Sequence, residues 1–508
     1  MKETRIGSGK RVTITESCRV APGKAKIADA ESAGAIRITG KNVEVDCRGF
    51  TLSSGKTDQN TYAGIGILVE NAENVVLRNA TVSGYKHNIV VKKSKRILVT
   101  DCDVRDSYMK PILGIHEYDN RDWLNIFEEK EWREYGSGIS LEECTDCRVQ
   151  RCESHGSVNG LWLIRSAGNF IVHNDFSRNT GWGIWMWESS HNTILYNNCD
   201  WCVRCEDPER FSAGGDSAGI MLSNNNCHNL IAHNTMRYGG DGFFLSGPGG
   251  APTCNDNVIA FNDGSHSPHN AFESTGAERN QFIGNIASNS RHGFWIGGST
   301  YNQIVGNIIE NMVEWGVSVD TGFENVISGN EIRRVLRGIV LFRSPKAARE
   351  SRDNRVIGNT FEECRNAITL LNSTTALVTG NFFGKCGTAL DITNGSHGHT
   401  ISLNNFVGCK TLIELGDAKD VVFADNFCGA TTREAVLRRV KAYKEEVLAE
   451  LRIANLRKSR VKFETQPVQA AFTDKSARKN KAFHWYADMD KLVGHAETYL
   501  MKLKEAGR

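Results

Sequence analysis

The sequence predicts an all-β fold: a solenoid of short parallel strands wound into stacked coils, followed by an α-helical C-terminal extension. Three observations carry this reading. Asparagines five residues apart recur as Asn74/Asn79, Asn169/Asn174, Asn192/Asn197, Asn229/Asn234, Asn257/Asn262, Asn280/Asn285, Asn302/Asn307, Asn325/Asn330 and Asn354/Asn359, half of the successive intervals being 22 or 23 residues. A short apolar run opening on glycine precedes the pairs, as in Gly183-Ile184-Trp185-Met186, Gly293-Phe294-Trp295-Ile296 and Gly316-Val317-Ser318-Val319. A second short run follows the first asparagine, as in Asn302-Gln303-Ile304-Val305. A period of about 20–50 residues marks a repeat architecture. Strands this short, with no helical periodicity between them, fit parallel coils rather than helical repeats or propeller blades. Stacking sets each coil corner above its counterpart, where an asparagine can bond the next coil and accept a left-handed backbone.

The elements follow in order. Residues 1–35 carry short alternating runs such as Val12-Thr13-Ile14 and are expected to cap the N-terminal edge, which a solenoid must hide. Residues 36–430 form the coils. The period breaks near 109–135 and 203–216, and more briefly at 247–255. In the first break, Trp123, Ile126 and Phe127, with Asp122 as cap, predict a short amphipathic helix. Long loops on a rigid scaffold often carry function. Residues 431–508 change character. Apolar residues at helical spacing (Val436, Leu437, Val440, Val447, Leu448, Leu451) predict a helix over 435–454, and a second is expected over 483–503. This tail caps the far end or mediates homo-oligomerisation.

The glycine-led strand followed by the asparagine pair resembles the right-handed parallel β-helix of pectin-lyase-like proteins, over roughly residues 10–430. The resemblance implies a carbohydrate-active protein. It leaves the activity open, because that architecture hosts lyases, hydrolases, epimerases, esterases and adhesins.

Formal net charge is +2, with a local +8 in residues 431–508 and −6 in the remainder. A mildly acidic body does not favour nucleic acid. No apolar run is long enough to span a membrane, and none follows Met1 as a signal peptide would. Of the fifteen cysteines, Cys102, Cys364, Cys386 and Cys409 precede corners as inward residues would, so the chain is expected to be cytoplasmic unless a leader has been removed.

Aligning the coils at the strand glycine sets the side-chain parity. The residue after it (Ile139, Leu161, Ile184, Ile220, Phe243, Phe272, Phe294, Val317, Ile339) is apolar and faces the core. The next residue then points outward: Ser140, Trp162, Trp185, Met221, Phe244, Glu273, Trp295, Ser318, Val340. An outward aromatic stripe has two readings: a platform stacking on the apolar faces of sugar rings, or a satellite core under the insertions. Trp187 lies in the adjacent outward column.

Glu273 interrupts the stripe. Between Phe244 and Trp295 it is expected to be partly desolvated, the condition for a general acid. The bland reading is a glutamate paired with Arg291 or His292. Asp216 and Asp241 precede Gly219 and Gly242 on the two preceding coils, and either could be the base or nucleophile of a glycosidase pair. Corner aspartates also serve structure alone, by accepting backbone N–H bonds. Glu188 and Asp320 are reserve carboxylates, and His266, His269 and His292 could bond sugar hydroxyls. The substrate is thus an oligo- or polysaccharide. The motif Asp-Pro-His-Asp, which the resemblance associates with alginate epimerases, is absent. Carboxylates and tryptophans also outnumber Arg165, Arg291 and Arg337, so a neutral glycan is favoured over a polyuronate. Lyase or epimerase chemistry, and glycan binding without turnover, stay open.

Two cysteine clusters, Cys144/Cys147 and Cys199/Cys202/Cys205, have spacings that zinc sites use. Cys147 falls in the register of Asn169, and Cys199 in that of the inward Phe176. The structural role is therefore preferred, with Cys202 and Cys205 expected to leave the scaffold, and no metal or cofactor is assigned.

Overall fold

The computed structural model describes residues 1–110, 124–203, 217–247, 254–345, 347–406 and 408–427. The helices expected at 435–454 and 483–503, Asp216, Cys205, Asp122 and Trp123 lie outside the described residues. The described chain forms two compact units, residues 1–244 and 245–427.

In the first unit, residues 2–26 supply the opening coil. Val12–Ile14 pairs in parallel with Ile36–Lys41, and Cys18–Val20 with Glu44–Asp46. The main ladder then climbs through Ile65–Glu73, His87–Lys92, Ser137–Glu142, Asn159–Ile164, Trp182–Trp187 and Ala218–Ser223, every pairing parallel. A second ladder of three-residue strands runs from Val76–Arg78 through Leu98–Thr100, Arg148–Gln150, Phe170–Val172 and Thr193–Leu195 to Leu230–Ala232. The second unit repeats this plan. Its main ladder is Asn270–Thr275, His292–Gly297, Trp315–Asp320, Arg337–Phe342, Asn366–Leu371, Thr388–Thr393 and Thr411–Leu415.

The strand glycines have a steric cause. A Cβ at Gly160, Gly183 or Gly316 would stand 2.5–2.7 Å from the carbonyl oxygen of the next coil. Inward side chains stack coil upon coil: Phe272 on Phe294 at 4.9 Å, and Phe361 on Phe383 on Phe406 at 5.0 and 5.2 Å between ring centroids.

The asparagines bond as their stacking requires. Asn285 donates its side-chain amide to Ile259 O (2.9 Å) and to Asn307 Oδ1 (3.1 Å), and its backbone N–H to the same Oδ1 (2.8 Å). The same pattern links Asn169 to Asn192 and Asn307 to Asn330. One expectation is corrected. Among the named pairs, only Asn74 and Asn79 adopt a left-handed backbone. In later coils the corner falls on the preceding residue, such as His173 (φ 58°), Tyr196 (φ 54°) or Phe261 (φ 57°). This leaves the asparagine in ordinary backbone, with its amide directed along the stack.

The cysteines belong to this scaffold. Cys147 and Cys152 take the ladder position, donating N–H to Asn169 Oδ1 (2.9 Å) and Asn174 Oδ1 (3.0 Å). Cys202, expected to leave the scaffold, stays in it instead: it is buried, with Sγ 3.5 Å from Phe176 O. Every described cysteine is a free thiol, and burial pushes Cys199 and Cys202 upward, away from thiolate character.

Candidate functional site

The outward register stands as read. In the first unit Ser140, Trp162, Trp185 and Met221 are direct ladder partners. Their expected exposure as a platform is corrected: Trp162, Trp185, Trp187 and Phe244 are only 1 %, 1 %, 4 % and 8 % exposed. Leu124, Ile126, Trp132 and Tyr135 of the insertion cluster with them, as the satellite-core reading expects. The insertion's helix is the short segment Glu129–Trp132, later than the spacing of Trp123, Ile126 and Phe127 had placed it. Asn125 Oδ1 accepts the N–H groups of Phe127 and Glu128 and turns the chain into this segment. Trp132 then drops edge-on against Trp162 (5.7 Å) and Trp185 (5.1 Å), beside Leu124, Ile126 and Tyr135. Arg165 clamps the insertion from outside through Glu129 and Glu188. Bonds from Arg165 and Arg133 hold the Glu129 carboxyl at about 2. Glu188 is therefore engaged in an ion pair, and it also accepts from Asn224. Asp241 is fully buried and donates its backbone N–H to Ser217 O (2.8 Å).

In the second unit the outward column runs Glu273, Trp295, Ser318, Val340, Thr369, Asp391, Glu414. Glu273 is buried at 9 % exposure. Its Oε1 accepts from Thr275 Oγ1 (2.8 Å) and its Oε2 from Asn270 Nδ2 (2.6 Å), with His269 Nδ1 3.9 Å away. The bland pairing with Arg291 or His292 does not form. Both bond Glu314 instead: Arg291 Nε reaches Oε1 and His292 Nε2 reaches Oε2, each at 3.0 Å. His292 Nδ1 lies 2.9 Å from Asn270 Oδ1. Asn270 thus ties the protonation of His292 to the hydrogen bonding of Glu273. With Oδ1 toward the imidazole, both ring nitrogens must donate. A neutral ring donating to Glu314 needs the amide reversed, which turns oxygen toward Glu273. Burial, the largest influence, pulls His292 below the usual imidazole range despite Glu314. Burial also acts to raise Glu314, but the bond to His292 and the charge of Arg291 outweigh it and hold that carboxyl at about 2.

Beside this network lies a partly exposed aromatic surface. The Trp295 and Trp315 rings stack at 5.9 Å with 12° between planes, and Phe342 meets them edge-on at 6.1 and 5.5 Å. His292 packs against both indoles. Gly297 makes room for one of them: a Cβ there would stand 2.9 Å from Trp295 Nε1. Trp295, His269 and His292 are thus brought beside Glu273. Asp320 is not: it accepts from Thr321 Oγ1 and Ser344 Oγ, each at 2.6 Å, and fastens a corner. His266 likewise turns a corner, with φ 62°. Sequence reasoning missed Glu314, Trp315 and Phe342. Trp315 had a signal, since it precedes a strand glycine as His292 does and is its ladder partner.

Comparison with known proteins bears on the fold. A family model described as periplasmic copper-binding protein (NosD) matches residues 26–200, and one described as right handed beta helix region matches residues 255–407. The first description gives the cytoplasmic expectation no support. Among the described residues, no helix is long and apolar enough to cross a membrane. No curated protein matches. Similar solved structures include a mutant of the periplasmic alginate epimerase AlgG (12% identity, 77% of each chain, TM-score 0.40). The A-module of an Azotobacter vinelandii mannuronan C-5 epimerase is 11% identical over 81% of this chain and 91% of that one, with TM-score 0.33. DFA-IIIase from Arthrobacter chlorophenolicus is 12% identical over 70% and 83%, with TM-score 0.39. Neither family model spans half of the chain, and the assignment rests on the parallel coils and the match over residues 255–407: the chain is a right-handed parallel β-helix protein.

Proposed function

We propose that this β-helix is a carbohydrate-active enzyme, a glycoside hydrolase that cleaves a neutral glycan by carboxylate acid/base chemistry. One observation carries the reading: Glu273, buried and held through both oxygens, stands beside the partly exposed Trp295–Trp315–Phe342 surface. Stacked indoles offer the apolar face that sugar C–H groups pack on. Thr275 and Asn270 fix the carboxyl group, as a proton donor to a glycosidic oxygen requires. Glu273 is the acid in this reading. Asp241 is the base or nucleophile, assigned from the coil period one turn before it. Near Glu273 the cation Arg291 is engaged by Glu314, which supports an uncharged sugar at that point.

The test is turnover of a panel of neutral oligosaccharides by Glu273→Gln and Asp241→Asn. Each is expected to lose about 10²-fold or more in kcat, the usual share of a general acid or base. Unchanged turnover in both variants removes the assignment. Binding without turnover in the parent protein, abolished by Trp295→Ala, would instead identify a glycan-binding solenoid. An ultraviolet-absorbing unsaturated product from a uronic-acid polymer would identify a lyase.

A further inference from the structure

The outward face of the second unit continues beyond the aromatic surface into a pocket of about 490 Å³. From Glu273 to Asp391 there are five ladder steps, roughly 24 Å at about 4.8 Å per strand. The pocket is built from corresponding corners of consecutive coils: Arg337, Arg365 with Asn366, Thr388, and Lys410. Gly387 lies among them, where a Cβ would stand 2.5 Å from Arg365 O.

Arg279, Arg291, Arg333, Arg334 and Arg352 each meet a carboxylate. Among the described residues, no carboxylate lies within ion-pair distance of Arg337, Arg365 or Lys410. Three cations brought into one concavity repel one another, so the pocket is electrostatically set to receive an anion. It also carries an acceptor, Glu414, whose direct ladder partner is Asp391. Asn366 Nδ2 donates to Asp391 (3.1 Å), and Thr388 Oγ1 to Glu414 (3.1 Å). Burial raises the Asp391 carboxyl, with Glu414 adding to it and Asn366 and Arg337 opposing. An inorganic anion would engage the cations alone. A ligand using the whole lining must present one anionic group together with hydroxyls.

We infer that this pocket binds an acidic saccharide unit, its carboxylate taken by Arg337, Arg365 and Lys410 and its ring hydroxyls by Glu414. Guanidinium groups suit a planar carboxylate, which they can grip through paired N–H donors. The site goes beyond the hydrolase reading. Joined to it, it specifies a glycan neutral where it is cut and acidic some 24 Å away, but binding here does not require Glu273 chemistry.

The test is calorimetric or saturation-transfer titration of the full chain with glucuronate, galacturonate and mannuronate, against the parent neutral hexoses and inorganic sulfate. At least one hexuronate is expected to bind at least tenfold more tightly than its neutral hexose and than sulfate. That affinity should fall about tenfold in Arg365→Ala and in Lys410→Ala, whose side chains are exposed and leave the core intact. It should weaken as salt rises, and it should be unchanged in Glu273→Gln. Sulfate binding as tightly as the hexuronates would overturn the proposal in favour of a plain anion site. Hexuronate binding indifferent to both substitutions, or no hexuronate binding, would overturn it outright. Retained pocket binding in a protein without hydrolase activity would leave the pocket standing and remove the hydrolase reading.

Discussion

Replacing Asn307 with alanine removes one link of the ladder, and the structure gives the cost. The residue is fully buried. Its amide donates to Phe282 O (3.0 Å) and Asn330 Oδ1 (2.9 Å), and its Oδ1 accepts the backbone N–H (2.8 Å) and side-chain amide (3.1 Å) of Asn285. Two of the four partners keep another bond after the change. Asn285 Nδ2 still reaches Ile259 O, and Asn330 Oδ1 still receives the Asn307 backbone N–H. The Asn285 backbone N–H is left as a buried donor with its ladder acceptor gone, at a cost of about 1–3 kcal/mol, and the Phe282 carbonyl loses a bond worth about 0.5–1.5 kcal/mol. The expected loss is about 2–4 kcal/mol. Urea unfolding of the full chain, followed by circular dichroism, measures it. Hydrogen exchange at the Asn285 amide should accelerate by a corresponding factor, since each 1.4 kcal/mol is about tenfold. Asn60→Ala, at an exposed position, is the control and should stay within about 0.5 kcal/mol. A loss below about 1 kcal/mol for Asn307→Ala, or no acceleration at Asn285, would refute the view that each ladder amide is an obligatory bridge between coils.

Trp132→Ala should cost about 3–5 kcal/mol, because a fully buried indole at the centre of the satellite core is replaced by a cavity; a urea-midpoint change equivalent to less than 1 kcal/mol would show that the insertion contributes no packing. Glu314 titrates at about 2 in the folded protein against 4.5 in the unfolded chain. The unfolded state therefore takes up the proton first on acidification. The associated stability is complete above about pH 4.5 and is lost as the pH falls from there toward 2. Glu314→Gln should flatten that limb of a plot of urea midpoint against pH, and an unchanged slope would refute the role given to His292 and Arg291.

The legible part of this protein was its register. Asn280, Asn302 and Asn325 recur because stacked coils repeat one hydrogen bond, and Phe272, Phe294 and Val317 alternate with Glu273, Trp295 and Ser318 because a strand sends successive side chains to opposite faces. Both are short-period constraints written in consecutive residues, so inside and outside could be assigned along the chain without coordinates. Whether an outward residue meets solvent is another matter, because it depends on what else folds back over it. Trp162 and Trp185 point outward yet are buried, since Trp132 and Tyr135 arrive from an insertion with no period of its own. Glu273 found Asn270 and Thr275 rather than Arg291 or His292, because Glu314 on the next coil competes for both. The convergence of Trp295, Trp315 and Phe342, and of Arg337, Arg365 and Lys410, joins residues from different columns of successive coils. The coil, its register and the direction of each side chain follow from local alternation and are legible in the chain of residues alone. Which outward side chains are covered, which are paired and which stay open to a ligand emerges only in the folded molecule, because those outcomes are contests between groups distant in sequence.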